Sequence, residues 1–222
     1  MKKSLILLSA LLILLLNSVA LAQDEEEEWE KDVLELNFYG GIDMPTGVML
    51  EWQDTLGAET GYNFGIDIGY FVSIPFVTGF GFRFSEYEVH NRETDLAAEG
   101  LKHRVYNPCL YAKYFLMPTA NLTPYVKASA GLTFLKFTTW VTNPNGDRYR
   151  QISYDPAFSF GLGGGLFYYT SDYGGFFAEG NYHYVNSASV EAEYEGGAYL
   201  FGEDLSSWEI HAGIRILVGS GE

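Results

Sequence analysis

The sequence predicts an all-β protein, an eight-stranded antiparallel up-and-down transmembrane β-barrel. First, apolar and polar residues alternate with period two in eight separate runs, the pattern of strands with two different faces. Second, long and short connections alternate between these runs, as in a meander of hairpins. Third, the polar face of the runs carries few charges, although the chain has 29 Asp+Glu and 13 Lys+Arg. A strand face so poor in charge is unusual for a surface in water.

The composition narrows the functional classes. A chain of 222 residues is long enough for one domain or one barrel. The formal net charge of −16 and the lack of a basic stripe exclude nucleic acid as a leading partner. Cys109 is the single cysteine, so the chain has neither a disulfide framework nor a thiolate metal cluster. A hydrophobic content of 47% with 17% aromatic residues indicates a folded chain that favours strands.

The chain begins with an export signal. Residues 1–22 have a basic start, an apolar stretch and an Ala-x-Ala end, which predict a signal peptide cleaved after Ala22. The alternative is an uncleaved membrane anchor. Removal of Lys2 and Lys3 with this segment changes the formal net charge from −16 to −18. Residues 23–32 then form an acidic periplasmic N-terminal arm, either a solvated spacer or an interaction arm.

The predicted barrel domain covers residues 33–219. Each of its eight runs places apolar or small residues on one face of a strand. These residues are Leu34, Leu36, Phe38, Gly40, Ile42; Tyr62, Phe64, Ile66, Ile68, Tyr70; Phe80, Phe82, Phe84; Leu110, Ala112, Tyr114, Leu116; Val126, Ala128, Ala130, Leu132, Phe134; Phe158, Phe160, Leu162, Leu166, Tyr168; Phe176, Ala178, Tyr182, Tyr184; Trp208, Ile210, Ala212, Ile214, Ile216 and Val218.

The connections set the topology. Those expected to be long, polar or acidic are 43–60, 90–103, 141–153 and 190–206, and those expected to be tight turns are 72–77, 117–123 and 171–174. Long loops at one end and short turns at the other predict sequential antiparallel hairpins. Because the strand count is even, both termini lie on the side of the short turns.

The charges on the polar face indicate which face points inward. Four acids and four bases share this face, and such a balance suits a closed interior in which every charge needs a partner. They are Glu35, Asp67, Glu179 and Glu209 with Arg83, Lys113, Lys127 and Arg215. The aromatic and aliphatic face then meets lipid, where a closed barrel satisfies every backbone hydrogen bond. We therefore predict an interior charge network and an apolar exterior.

Three segments carry a resemblance to a known family. They are Tyr111-Ala112-Lys113-Tyr114, Tyr125-Val126-Lys127-Ala128, and the closing Trp208-x-Ile210-x-Ala212-Gly213-Ile214-Arg215-Ile216. With the signal peptide and the eight runs, they resemble the small outer-membrane β-barrel proteins of the OmpA/OmpX type in the porin family. The resemblance covers essentially the whole mature chain and implies the outer membrane of a Gram-negative bacterium, with both barrel termini periplasmic.

The family's last strand presents a Gly-x-x-hydrophobic-x-aromatic signal to the outer-membrane insertion machinery. The resemblance assigns this role to Gly213, Ile216 and Val218, and Val218 stands where the family has an aromatic residue.

The interior charges leave two interpretations open, a plug of ion pairs or a conducting pore. The plug is favoured because the interior of an eight-stranded barrel is just wide enough for side chains to fill it. A metal site of His183 and His211 with Glu179 or Glu209 is the less favoured alternative to hydrogen-bonded histidines. Ser187 or Ser189 with His183 could serve a lipid-modifying enzyme, but their spacing carries no specificity. We therefore assign no catalytic, cofactor-binding or metal-binding residue.

The predicted function is structural or adhesive, with outer loops displayed to the exterior and no enzymatic activity; the alternatives are a narrow passive pore and a lipid-modifying enzyme. The predicted partners are outer-membrane lipid, lipopolysaccharide and the insertion machinery. Loops 43–60 and 190–206 are acidic, so divalent cations could bridge them, although a merely solvated coat is favoured.

Overall fold

The computed structural model describes residues 33–46, 57–91, 96–118, 120–143, 146–153, 155–185, 188–194, 197–203 and 206–219. Of these residues, 57, 89–91, 96–101, 137–143, 146–153, 188–194 and 197–203 are described by their backbone alone. The predicted signal peptide and the predicted acidic arm lie outside the described residues. So do large parts of the two acidic loops, including all side chains at 188–203.

The described chain forms twelve strands. They are β1 (Leu34–Pro45), β2 (Gly57–Ala58), β3 (Gly61–Ser73), β4 (Phe76–Asn91), β5 (Leu96–Phe115), β6 (Leu122–Asn143), β7 (Gly146–Ser153), β8 (Ala157–Ser171), β9 (Gly174–Val185), β10 (Ala188–Tyr194), β11 (Gly197–Glu203) and β12 (Ser207–Val218).

Eight of these strands close into a barrel. Their order around it is β4, β3, β1, β12, β9, β8, β6 and β5, and pairing of β4 with β5 completes the ring. Every pair is antiparallel, including β1 with β12, which joins the two ends of the domain. The predicted eight-stranded antiparallel barrel is therefore confirmed, and closure leaves no unpaired sheet edge in its wall.

The strands run further than the sequence predicted. Residues 96–103, expected to belong to a loop, are part of the 20-residue β5, which continues to pair with β4. The expected loop 141–153 contains β7, which folds back on β6, and 190–206 contains most of the hairpin β10–β11. Hairpin arms pair through their backbones, so a strand continues where the alternation of its side chains fades.

Tight turns join the strands at the opposite end. Residues 74–75 connect β3 to β4, and 172–173 connect β8 to β9. Gly174 leaves the second of these turns with φ 146°, and a Cβ at this position would lie 2.0 Å from the carbonyl oxygen of Arg215. Both the backbone angle and the close approach of β12 therefore require glycine here.

Side chains alternate strictly between the inside and the outside of the wall. Asn37 and Glu35 on β1 are fully buried, whereas Phe38 is 41% and Ile42 is 47% exposed. The buried apolar cluster lies inside the barrel at the turn end. Its members are Val77, Tyr111, Phe115, Tyr125, Phe167 and Phe177.

Candidate functional site

The structure places all eight sequence-predicted charges on the inner face of the barrel. None is more than 8% exposed. Their strands are β1 for Glu35, β3 for Asp67, β4 for Arg83, β5 for Lys113, β6 for Lys127, β9 for Glu179, and β12 for Glu209 and Arg215. On each strand the period of two that turns the apolar neighbours outward turns the charged residue inward.

Glu35 is the centre of the group nearest the turn end. One carboxylate oxygen accepts hydrogen bonds from Lys113 Nζ at 3.0 Å and from Tyr111 Oη at 2.7 Å. The other oxygen lies 2.8 Å from Arg215 Nη2. Two cations and a phenol therefore surround one buried carboxylate, which compensates its removal from water.

Lys127 holds the next group together. Its Nζ lies 2.9 Å from Asp67 Oδ2 and 3.2 Å from Glu179 Oε1. Glu179 also accepts a hydrogen bond from Tyr125 at 2.7 Å and lies 3.1 Å from Nε2 of His211. Because Lys113 lies 3.9 Å from Asp67, this group is continuous with the one around Glu35.

Arg215 is packed among aromatic rings at the turn end of the interior. Its guanidinium carbon lies 5.2 Å from the ring centre of Phe71, 4.5 Å from that of Phe115 and 4.6 Å from that of Phe167. An arginine enclosed by aromatic faces is held by cation–π attraction as well as by its ion pair with Glu35. The side chains of five strands therefore meet here across the barrel.

A third group lies toward the loop end. Arg83 pairs with Glu209, and its Nη2 donates a hydrogen bond to Nδ1 of His183 at 2.9 Å. Beside these residues is a small cavity of about 30 Å³, whose lining also includes Asn181 and Ser129. A cavity of this size has room for about one water molecule. The loop-side half of the interior is thus lined mainly by polar side chains, whereas the turn-side half is filled by aromatic rings.

The two inner histidines that the sequence analysis singled out, His183 and His211, have different partners. His183 contacts Arg83, whereas His211 contacts Glu179 and stacks on Tyr39 with ring centres 4.4 Å apart. In the described part of the chain, no group of three or more His, Cys, Asp or Glu is placed to hold a metal ion. Ser187, one serine of the alternative triad, lies outside the described residues, and for Ser189 the description is of the backbone.

The charge balance of the interior differs from the sequence prediction at Asp43. This residue was assigned to the first acidic loop, but it lies within β1 and is fully buried on the inner face. Its Oδ2 accepts a hydrogen bond from Ser85 Oγ at 2.7 Å. The assignment was wrong because β1 continues three residues beyond its last strongly apolar outward position, Ile42. Among the described residues, five acids therefore face four Lys and Arg residues inside the barrel.

Sequence reasoning missed the inner tyrosines as parts of this site. Tyr111 and Tyr125 donate to buried carboxylates, and Tyr39 lies 3.5 Å from Asp67 through its hydroxyl. Glycines on neighbouring strands make room for them, since a Cβ at Gly65 would lie 2.4 Å from the Tyr39 ring. A signal was present in the sequence: these tyrosines occupy the polar parity of their strands.

The residues of the proposed insertion signal lie on the closing strand β12. Ile216 and Val218 face outward and are 39% and 48% exposed. Gly213 faces inward, where a Cβ would lie 2.9 Å from the ring of Phe177. Ile216 pairs with Leu36 and Val218 with Leu34, both on β1.

The outer surface of the barrel carries an apolar belt, which consists of the outward-facing apolar residues that follow one another along each barrel strand from the turn end; on β1 it covers residues 34–42. Its side chains are strongly exposed, with Leu110 at 68% and Leu162 at 63%. Nine residues of strand cover roughly 27 Å, the length that a tilted strand needs to cross a bilayer. An exposed apolar surface around a buried charged interior is the arrangement of a membrane-spanning barrel. No helix in the described segments is long and apolar enough to cross a membrane.

A row of polar side chains lies on the outer surface just beyond the belt, which we call the outer charge row. It consists of Tyr62, Glu86, Arg104 and Lys136 on the neighbouring strands β3, β4, β5 and β6, paired level with one another. Glu86 accepts hydrogen bonds from Tyr62 at 3.0 Å, from Arg104 Nε at 2.8 Å and from Lys102 Nζ. Burial alone would raise the pKa of Glu86, but the hydrogen bonds from Lys102 and Arg104 hold it below its usual value.

Comparison with known proteins identifies the fold. No protein-family model matches the chain, and no curated protein matches it. Among solved structures, it is similar to Neisserial surface protein A, with 15% identity, a TM-score of 0.55, and coverage of 84% of this chain and 99% of that chain. The outer membrane protein OprG from Pseudomonas aeruginosa gives 11% identity and a TM-score of 0.57, with 86% and 98% of the two chains covered.

A major outer membrane protein from Thermus thermophilus gives 10% identity and a TM-score of 0.53, with 84% of this chain and 100% of that chain covered. At such low identity these likenesses show the fold alone. The chain has the fold of small outer-membrane β-barrels.

Proposed function

We propose that the protein is a non-enzymatic barrel of the outer membrane with a structural or surface-interaction role, and that its interior is closed to solutes. In this arrangement the apolar belt anchors the protein in the membrane. The paired strands beyond the belt then present the loop end to the exterior. The termini lie on the periplasmic side with the tight turns.

The observation that carries the proposal is the packing of Arg215 among aromatic rings at the turn end. Its guanidinium contacts the rings of Phe71, Phe115 and Phe167 and pairs with Glu35, which is fully buried. An eight-stranded barrel has an interior just wide enough for side chains, and here large rings and long cations occupy it. An ion entering from the loop end would meet this layer before it reached the periplasm.

The length of the strands supports a role outside the membrane. The 20 residues of β5 and the 22 of β6 exceed the 9–11 residues that cross a bilayer. Both strands reach beyond the belt at the loop end, where β7 adds to β6. A rigid sheet that carries loops away from the lipid is suited to contact with other molecules.

A narrow passive pore is the second candidate, and the polar cavity beside Arg83 is the observation that favours it. Conductance separates the two candidates. We expect the refolded protein in planar lipid bilayers to show no stable single-channel conductance. Folding is verified on the same sample by strand-dominated circular dichroism and by a change of gel migration on boiling. Steady, ohmic channels from the folded protein would overturn the closed interior and establish the pore.

The predicted orientation has a separate measurement. An epitope inserted between Pro144 and Asn145, which lie between β6 and β7 in the sequence, should bind antibody on intact cells. The same epitope placed after Gly219 should bind antibody after the outer membrane has been permeabilised and not before. The reverse pattern would show that the loop end faces the periplasm and would contradict surface display.

A further inference from the structure

We propose that the basic part of the outer charge row, Arg104 and Lys136 together with Lys102, binds the phosphate groups of lipopolysaccharide. The inference rests on the proposed function, since it requires the loop end to face the outer leaflet of the outer membrane. The residues that carry it face outward from β5 and β6 and belong to a different surface from the interior network.

The depth of the row matches that of lipid phosphates. Phe84, Tyr106 and Phe134 lie level with one another at the upper edge of the apolar belt, and the rings of Phe84 and Tyr106 pack with centres 5.2 Å apart. On their strands, Arg104 and Lys136 lie two residues further toward the loop end than Tyr106 and Phe134, which is roughly 7 Å along the barrel wall. Aromatic rings border the hydrocarbon in such barrels, so the charged groups directly beyond them lie among the headgroups.

Among the described side chains, the cations of the row outnumber the carboxylates. Glu86 is engaged through both oxygens, by Tyr62 and Lys102 at one and by Arg104 at the other. In the described part of the chain, no carboxylate lies within ion-pair distance of Lys136, whose Nζ lies 5.6 Å from the ring centre of Tyr106. Even with the exposed Glu88 counted, three cations face two carboxylates among the side chains described here, on a chain whose net charge is −16.

The pairing of Arg104 with Lys136 favours the binding of an anion between them. The two residues are directly opposite on β5 and β6, a position in which like charges repel. Arg104 contacts Glu86 through Nε, so its terminal amino groups can point toward Lys136 and the lipid. A phosphate between the guanidinium and the ammonium would accept charge-assisted hydrogen bonds from both and relieve the repulsion.

Lipopolysaccharide fits this site better than a phospholipid. Its phosphates are carried on sugars at the top of several acyl chains, and the belt below Lys136 offers those chains the exposed Leu132 and Phe158, 37% and 66% exposed. The loop end, where the row lies, is also the end proposed to face the outer leaflet. The site therefore combines an aromatic and aliphatic floor with cations at the depth of the glycolipid phosphates.

The test is a titration of the folded barrel in neutral detergent with purified bisphosphorylated lipid A. The thermal midpoint of unfolding is measured at each lipid concentration. We expect saturable stabilisation by lipid A and none by its dephosphorylated form. Lys136→Gln should weaken the apparent affinity roughly tenfold, because a charge-assisted hydrogen bond is lost. Lys136→Arg, which keeps the charge, should restore it.

Glu88→Gln is the matched control, since it alters one charge on the adjacent β4 without removing a cation, and it should not weaken binding. Equal stabilisation by dephosphorylated lipid A, equal affinity for phosphatidylglycerol, or unchanged affinity of Lys136→Gln would each overturn the site. A barrel that conducts ions but binds lipid A through Lys136 would contradict the closed interior and leave this inference intact.

Discussion

Lys127 is the cation that joins the two sides of the barrel interior. It lies between Asp67 at 2.9 Å and Glu179 at 3.2 Å, on strands β3 and β9, and is 8% exposed. Its loss would leave two buried carboxylates without their shared cation. Removing one partner of a buried ion pair is strongly destabilising because the remaining charge stays buried without compensation, even where replacing the whole pair by apolar residues would cost little. Pairings like this one could not be read from the sequence. Parity placed Lys127 inside, but the partner depends on strand register, which a period of two does not fix.

We therefore predict that Lys127→Met lowers the free energy of unfolding by about 3 to 5 kcal/mol in detergent. Methionine keeps the length of the side chain, so the effect reports the charge and not a cavity. Ser129→Ala, two residues along the same inner face, serves as the control and should cost less than about 1 kcal/mol. Urea titration followed by circular dichroism measures both. Similar small effects of the two substitutions would mean that water, and not Lys127, compensates the carboxylates.

At the scale of single strands, alternation predicted the eight barrel strands within the membrane but not their extensions. Inside the belt, lipid on one side and a packed interior on the other enforce two chemically different faces. Beyond the belt both faces are polar, as at Lys102 on the outer face and His103 on the inner face, and the alternation disappears although the hairpin arms still pair. This is why β5 was expected to begin near residue 104 and in fact begins at Leu96. The outer charge row was missed for the same reason.

The pairing of β5 with β6 is interrupted at one point, where Pro108 faces Leu132. The ladder runs from Tyr106 with Phe134 directly to Cys109 with Gly131. Proline has no N–H for the ladder, and the side-chain amide of Asn107 instead donates to the Leu132 carbonyl at 3.1 Å. Within a membrane an unpaired carbonyl cannot form a hydrogen bond with water, so the Asn107 side chain replaces the missing hydrogen bond of the sheet.

We predict that Asn107→Ala lowers the free energy of unfolding by about 1 to 3 kcal/mol, because the Leu132 carbonyl loses its donor. Pro108→Ala in the same chain supplies a backbone N–H at this position and should recover part of the loss. The double-mutant cycle, measured by urea unfolding in lipid vesicles, gives the coupling between the two positions. Strictly additive effects would show that Asn107 does not substitute for the missing ladder bond.

At the scale of the whole molecule, burial is inverted relative to a protein folded in water. Charged side chains such as Glu35 are buried, and Leu110 and Leu122 on the outer wall are 68% and 51% exposed. Leu110 lies near the middle of the belt, level with Phe80 and Ala130, whereas Leu122 begins β6 at the turn end. The two leucines are thus similar in exposure and differ in their depth along the wall.

If the outer wall lies in lipid, the destabilisation caused by an outward-facing arginine should depend on its depth along the wall. Leu110→Arg should lower the free energy of unfolding from lipid vesicles by about 2 to 4 kcal/mol, and Leu122→Arg by about 0 to 1 kcal/mol, because the cost of a lipid-facing arginine falls from the bilayer midplane to its surface. Replacing each leucine by Ala provides the control for lost side-chain volume. If the outer wall faced water, arginine would be equally harmless at both depths. Equal effects of the two substitutions, measured by reversible urea unfolding in vesicles, would therefore contradict a barrel whose belt is set in lipid.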